Sequence, residues 1–155
     1  MKFSAREDVS APIADVFSRV SDFDAHERQA LRRGFDIERK DRLTAPGVGM
    51  NWRVAFDYRG RRRNSETTIT RFEPSTRIDF LTKVQGLECT GELDLTRLSA
   101  TKTRMHVTLD LKPKTFRARV FLQGLKLAKS ALTKRFKGRV ARFARQIEAG
   151  YGDHD

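Results

Sequence analysis

The chain has 155 residues and a formal net charge of +12, a length that suits one domain whose core stands without staples. A single cysteine, Cys89, excludes an internal disulfide and a cysteine-based zinc site and makes a reducing, cytoplasmic setting the default. The opening MKFSAREDVS lacks the apolar core of a secretory signal, and no run approaches the ~20 apolar residues of a membrane span.

Phe3, Ala5, Glu7 and Val9 alternate with Lys2, Ser4, Arg6 and Asp8, the period of a half-buried strand. Ser10-Ala11-Pro12 reads as a helix start, a capping serine with proline in the first turn. Ile13, Val16, Phe17 and Val20 follow at helical spacing. A second short helix is predicted from Asp24 to about Arg33, ended by Gly34.

From Phe35 to Lys112 the texture is that of strands. Phe35–Arg39 is a short one. After the turn APGVG, Met50, Trp52, Val54, Phe56 and Tyr58 alternate with Asn51, Arg53, Ala55 and Asp57. RGRRRN is the predicted hairpin tip, Ser65–Phe72 the return and EPST the next turn. Ile78, Phe80, Thr82 and Val84 form one further apolar face, and Leu87, Cys89, Gly91, Leu93 and Leu95 another. After the turn LSATKT, Met105, Val107, Leu109 and Leu111 alternate with Arg104, His106, Thr108 and Asp110.

From about Thr115 to Ala149 the pattern predicts one long helix with a kink near Gly124. At 100° per residue, Phe121, Leu125, Ala128, Leu132, Phe136, Val140, Phe143 and Ile147 fall within about 60° of one line. Lys126, Lys134, Arg135, Lys137, Arg142 and Arg145 fall on the other side, and Phe116, Val120 and Leu127 are out of phase. Between Lys112 and Arg145 there are 12 basic residues and no acid, whereas the rest of the chain balances 20 basic against 20 acidic residues. The excess charge therefore sits in this segment and speaks of partners, not of fold. Burying the stripe against a sheet is worth on the order of 10–20 kcal/mol, against ~1 kcal/mol per basic residue for attraction to an anionic membrane. The stripe is thus expected to close the core and to be unavailable to lipid. The outer face keeps its cations without aromatics, which suits phosphates rather than bases.

The order is one strand, two short helices, about six antiparallel strands and a long helix. The expected fold is α+β: a curved antiparallel sheet of about seven strands wrapped around the long C-terminal helix. It forms one domain over residues 1–150 with a tail at 151–155. VSAPIADVFSRVSDF after the first strand, GVGMNW opening a strand, TRFEPSTRIDF and GELDLTRLSATKTRMHVTLDL together resemble the START-like superfamily across nearly the whole chain. That superfamily includes birch-pollen-allergen proteins and polyketide cyclase/dehydrase-like and lipid-transport proteins. The resemblance implies a helix-grip fold with space between sheet and helix for a hydrophobic ligand, lipid- or polyketide-like. It also permits an interaction module that uses its basic helix on RNA, a ribosome or an anionic membrane surface, and, behind these, a cyclase/dehydrase-type enzyme.

Candidate pocket residues are Trp52, Val54, Phe56, Phe80, Cys89, Leu93, Met105 and Leu125, with ordinary core packing the competing reading of each. Glu7 shares the inward phase of its strand, so it either reaches water at the sheet's end or needs a partner such as Arg53 or Arg71. Anion-surface candidates are Arg61, Arg62, Arg63, Lys134, Arg135, Lys137, Arg142 and Arg145. His26, His106 and His154 read as solvated, and their spacing suggests no metal site. No triad, dyad or cofactor motif stands out, so no catalytic residue, cofactor or oligomeric state is assigned.

Overall fold

The computed structural model describes residues 1–152. The last three positions, which hold most of the predicted tail and His154, lie outside the described residues. The elements in chain order are β1 (Lys2–Val9), α1 (Ile13–Val20), α2 (Phe23–Arg32), β2 (Asp36–Arg39), β3 (Asn51–Tyr58), β4 (Arg61–Glu73), β5 (Arg77–Val84), β6 (Leu87–Ser99), β7 (Lys102–Pro113), α3 (Phe116–Lys126) and α4 (Lys129–Gly152). The strands form one seven-stranded antiparallel sheet in the order β1-β7-β6-β5-β4-β3-β2. This is the expected helix-grip architecture.

Register carries the predicted alternation across the whole sheet. Phe3 faces Leu109, Ala5 faces Val107 and Glu7 faces Met105; Gly91, Leu93 and Leu95 continue those rows on β6. Ile78, Phe80 and Thr82 extend them on β5, Ile69 and Thr67 on β4, and Trp52 and Val54 on β3. Paired residues project to the same side, so these rows make one concave apolar face.

Three local starts differ from the sequence reading. Ser10 does not cap α1: Pro12 stands at the N-cap, and the Ser10 amide donates to Glu148 Oε2 of α4 at 2.7 Å. Asp22, not Asp24, opens α2, accepting from the Ala25 amide at 3.2 Å. The hairpin tip is only Arg59-Gly60, with φ of 51° and 74°, and Arg61–Arg63 already belong to β4. Two positive-φ residues match the twist of the flanking strands, which is why a two-residue tip suffices and why glycine takes one place.

The predicted single helix is two. Leu127 and Ala128 donate back to Gly124 and Leu125 in tight three-residue turns, and α4 restarts at Lys129. The break lies three residues beyond the predicted kink at Gly124. Past it, α4 lies over β1 and α1, burying Val140, Ala144 and Ile147 and setting Phe136 edge-on against Phe3 at 6.3 Å. The core cluster also takes in Val9, Val16, Phe17, Ile78, Leu95 and Met105, and it reaches β4 and β3 through Ile69, Trp52 and the adjacent Met50. Before the break, α3 buries only Ala118 and Leu122.

Candidate functional site: a trough on the concave face

Because α4 is drawn toward β1, the concave face of β3, β4 and β5 keeps an open strip. Val54, Phe56, Phe80 and Thr82 stay half-buried there. Two recesses lie end to end along it. The near one, about 280 Å³, is roofed by Phe23, His26 and Glu27 of α2 and floored by Trp52, Val54, Ile69 and Phe80. The far one, about 640 Å³, continues the same strands: Phe56 and Tyr58 follow Val54, Arg63 and Arg61 follow Thr67, and Val84 follows Thr82. Ala118 and Phe121 of α3 close its side. From Trp52 to Tyr58 the strip runs about 20 Å at strand rise.

The two ends differ in chemistry. In the near recess the polar groups are already engaged. Trp52 Nε1 donates to Glu27 Oε1 at 2.6 Å, and the Thr67 and Thr82 hydroxyls pair at 2.8 Å. His26 Nε2 donates to the Val20 carbonyl at 3.0 Å while its ring lies against Phe143. What faces the space is apolar. The far recess is lined by Arg59, Arg61, Arg63 and Arg117 and by no acid. Arg63 is steadied by Gln85 Oε1 at 2.8 Å and by the Tyr58 carbonyl, and Arg59 stacks on the Tyr58 ring.

Of the pocket candidates, Trp52, Val54, Phe56 and Phe80 line the trough. Met105 is fully buried in the core, and Cys89, Leu93 and Leu125 are half-buried outside the lining. Burial pushes the Cys89 thiol up, and the nearby Asp110 carboxylate adds to it, so it stays protonated at neutral pH. Glu7 does project to the α4 side, but Arg145 partners it, at 3.9 Å, in place of Arg53 or Arg71. Arg145 also binds Glu148 at 2.9 Å and donates to the Asp8 carbonyl, so this anion candidate ties α4 to β1. Arg62 points to the convex side toward Asp36 and Asp57, while Arg61 and Arg63 enter the trough, as period-2 alternation requires. Lys134, Arg135, Lys137 and Arg142 are exposed. His106 lies on the convex face beside Ser4 Oγ at 2.7 Å. His26 departs from the solvated reading, because α2 turns it inward with Phe23 and Glu27.

Those three α2 residues were missed, although their i, i+3, i+4 spacing marks one helix face. Phe23 and Glu27 fell outside the alternation that selected pocket candidates. Among the described residues no group of three or more His, Cys, Asp or Glu gathers as for a metal. No helix among them is long and apolar enough to cross a membrane.

The family model for polyketide cyclase / dehydrase and lipid transport proteins matches residues 1–148. Solved structures share the fold at low identity. TTHA0849 from Thermus thermophilus is 14% identical, covering 97% of this chain and 99% of its own, with a TM-score of 0.67. The Zhui aromatase/cyclase from a Streptomyces species is 15% identical over 97% of each chain, with a TM-score of 0.62. A START superfamily protein from Mycobacterium smegmatis is 17% identical over 86% of this chain and 95% of its own, with a TM-score of 0.55. A search of curated proteins finds no match.

Proposed function

The chain belongs to the polyketide cyclase / dehydrase and lipid transport family, and from that premise we propose that it binds an amphipathic anion in the trough. The ligand's apolar body lies over Trp52, Val54 and Phe80 beneath α2. Its anionic end meets Arg61, Arg63 and Arg117. One observation carries this reading: two recesses in line on one sheet face, the near one mainly apolar with its polar groups already paired, the far one holding four arginines and no acid. An apolar strip favours desolvated carbon, and guanidinium groups favour carboxylate or phosphate in fork geometry.

Trp52 is the only tryptophan in the chain and lines the near recess, so it reports occupancy. Titration with laurate below its micelle concentration is expected to shift Trp52 emission to saturation. Dodecanol, with the same tail and no charge, is expected to bind about tenfold more weakly. Replacing Arg61 and Arg63 with alanine should erase that preference while leaving the dodecanol curve in place. A flat titration with both probes refutes the trough as a binding site; equal affinities refute the anionic end.

A second reading rests on the exposed Lys134, Arg135, Lys137 and Arg142 of α4. These suit an RNA backbone. If all four sit on phosphates of a duplex, log affinity falls with log salt at a slope of about −3.5. Salt-independent RNA binding would count against it.

A further inference from the structure

The trough does not account for one apolar ridge. On α3, Phe116, Val120 and Leu127 at its C-cap are 77%, 50% and 93% exposed. At 100° per residue they fall, with Gln123, in an arc of about 60°. The side that buries Ala118 and Leu122 lies opposite. The helix therefore has two apolar sides, and the fold uses one. Arg117 borders the ridge on one flank, and Arg119 and Lys126 border it on the other. Between Lys112 and Arg145, the ion pairs among the described residues are those of Lys112, Lys114 and Arg145. The three cations beside the ridge are outside them.

We propose that this ridge docks the protein on an anionic lipid bilayer. Large exposed apolar side chains on one line mark an interaction surface. Phe116, Val120 and Leu127 would enter the boundary between headgroups and acyl chains, while Arg119 and Lys126 meet headgroup phosphates and Arg117 stays with the trough. The helix is held firmly enough to present the ridge. Thr115 caps it, accepting from the Ala118 amide at 3.1 Å, and the Lys114 amide donates to the Gly86 carbonyl at 2.7 Å. Charge argues for lipid against a second copy, because pairing two such ridges would bring together flanks that are cationic on both sides. Side-chain type argues for lipid against RNA, because Val120 and Leu127 offer no ring for a base to stack on. The inner side of the same helix lines the far end of the trough through Arg117, Ala118 and Phe121. Docking thus sets that end at headgroup level. The docking does not depend on what the trough binds.

The test is co-sedimentation of the full chain with vesicles at about 0.15 M salt. One set is phosphatidylcholine alone and the other is equal parts phosphatidylcholine and phosphatidylglycerol. The parent is expected to pellet with the mixed vesicles and not with phosphatidylcholine. Phe116→Ser with Leu127→Ser should weaken that binding at least about tenfold, since two large apolar side chains are withdrawn. Both side chains are in solvent, so near-UV dichroism should match the parent. Equal pelleting of variant and parent would overturn the ridge as the anchor. So would parent binding to phosphatidylcholine alone, release from mixed vesicles by single-stranded RNA, or a dimer that the double variant abolishes without any vesicle binding.

Discussion

At the β1–β7 edge, α4 buries Val140, Ala144 and Ile147 in a core with Ala5, Val9 and Met105. Along β3, β4 and β5 the same alternating pattern ends in half-buried Val54, Phe56 and Phe80 over open space. The strands do not differ in kind. The cover differs, because the break at Leu127–Ala128 and the contacts of Arg145 with Glu7 and the Asp8 carbonyl, and of Glu148 with the Ser10 amide, commit the helix to one side. α4 thereby closes the β1 end, while the other strands hold the core only as far as Trp52 and Ile69 and leave a trough beyond them. Substitutions at the first should cost folding, and substitutions at the second should cost binding.

The sharpest contrast pairs Ile147 with Phe80. Ile147 is 1% exposed within the core cluster, and Ile147→Ala leaves a cavity there. It is expected to lower stability by about 3 kcal/mol. Phe80→Ala removes a larger side chain that is only half-buried, and about 1–2 kcal/mol is expected. Urea melts with unchanged slope would check both. A Phe80 loss as large as that of Ile147 would mean the trough is a closed core after all.

The open end is held in part by charge instead of burial. Asp41, just past β2, accepts from Arg39 Nη2 at 2.8 Å and from the amides of Leu43 and Asn51 at 2.9 and 2.8 Å. Arg39 in turn lies over the Trp52 ring at 5.7 Å. The guanidinium of Arg39, with help from the two amides, holds the Asp41 carboxyl far below the usual carboxylate range. A depressed carboxylate contributes its stability in full above the unfolded value near 4, and loses it as pH falls toward the folded value. Asp41→Asn is expected to cost about 2 kcal/mol at neutral pH. The gap between parent and variant melting temperatures should shrink from about pH 4 downward. A gap that stays constant to pH 2 would show that Asp41 is not the anchor of this end.

Much of this division was readable in advance. Period-2 alternation placed the inward rows of β1, β3, β5, β6 and β7, from Phe3 to Leu109, because a sheet with one wet face leaves that mark in sequence, but it assigned none on β2 or β4. The eight-residue helical stripe was readable too, but of its members only Val140 and Ile147 are buried, and Phe116, Val120 and Leu127 already stood out of phase with it. Alternation tells which way a side chain points and is silent on what covers it. It therefore could not separate Met105, in the core, from Phe80, in the trough. Nor could it find His26 and Glu27, whose place depends on how α2 folds across the strands. Arg145 lies outside, as helical phase predicts, and its pair with Glu148 is an i, i+3 contact legible in sequence; only the packing of α4 on β1 brings Glu7 to it.

The smallest expected change in stability makes the finest test of the two-ended sheet. Gly91 is buried opposite Phe80, and a Cβ built there would meet Phe80 Cζ at 2.1 Å. Glycine is needed because the ring lies flat across that strand. In Gly91→Ala the ring has one open direction, into the near recess that it already floors. Overpacking in a closed core costs about 1–3 kcal/mol, and a ring that can swing into empty space should keep the cost near 1 kcal/mol. The displaced ring would occupy the space assigned to the ligand's apolar body. Laurate titration by Trp52 emission should then show affinity lowered by about tenfold or more, at nearly parental melting temperature. A variant that melts far below the parent would mean the ring has nowhere to go and the near recess is not free space. One that binds laurate like the parent would place the apolar body elsewhere on the sheet.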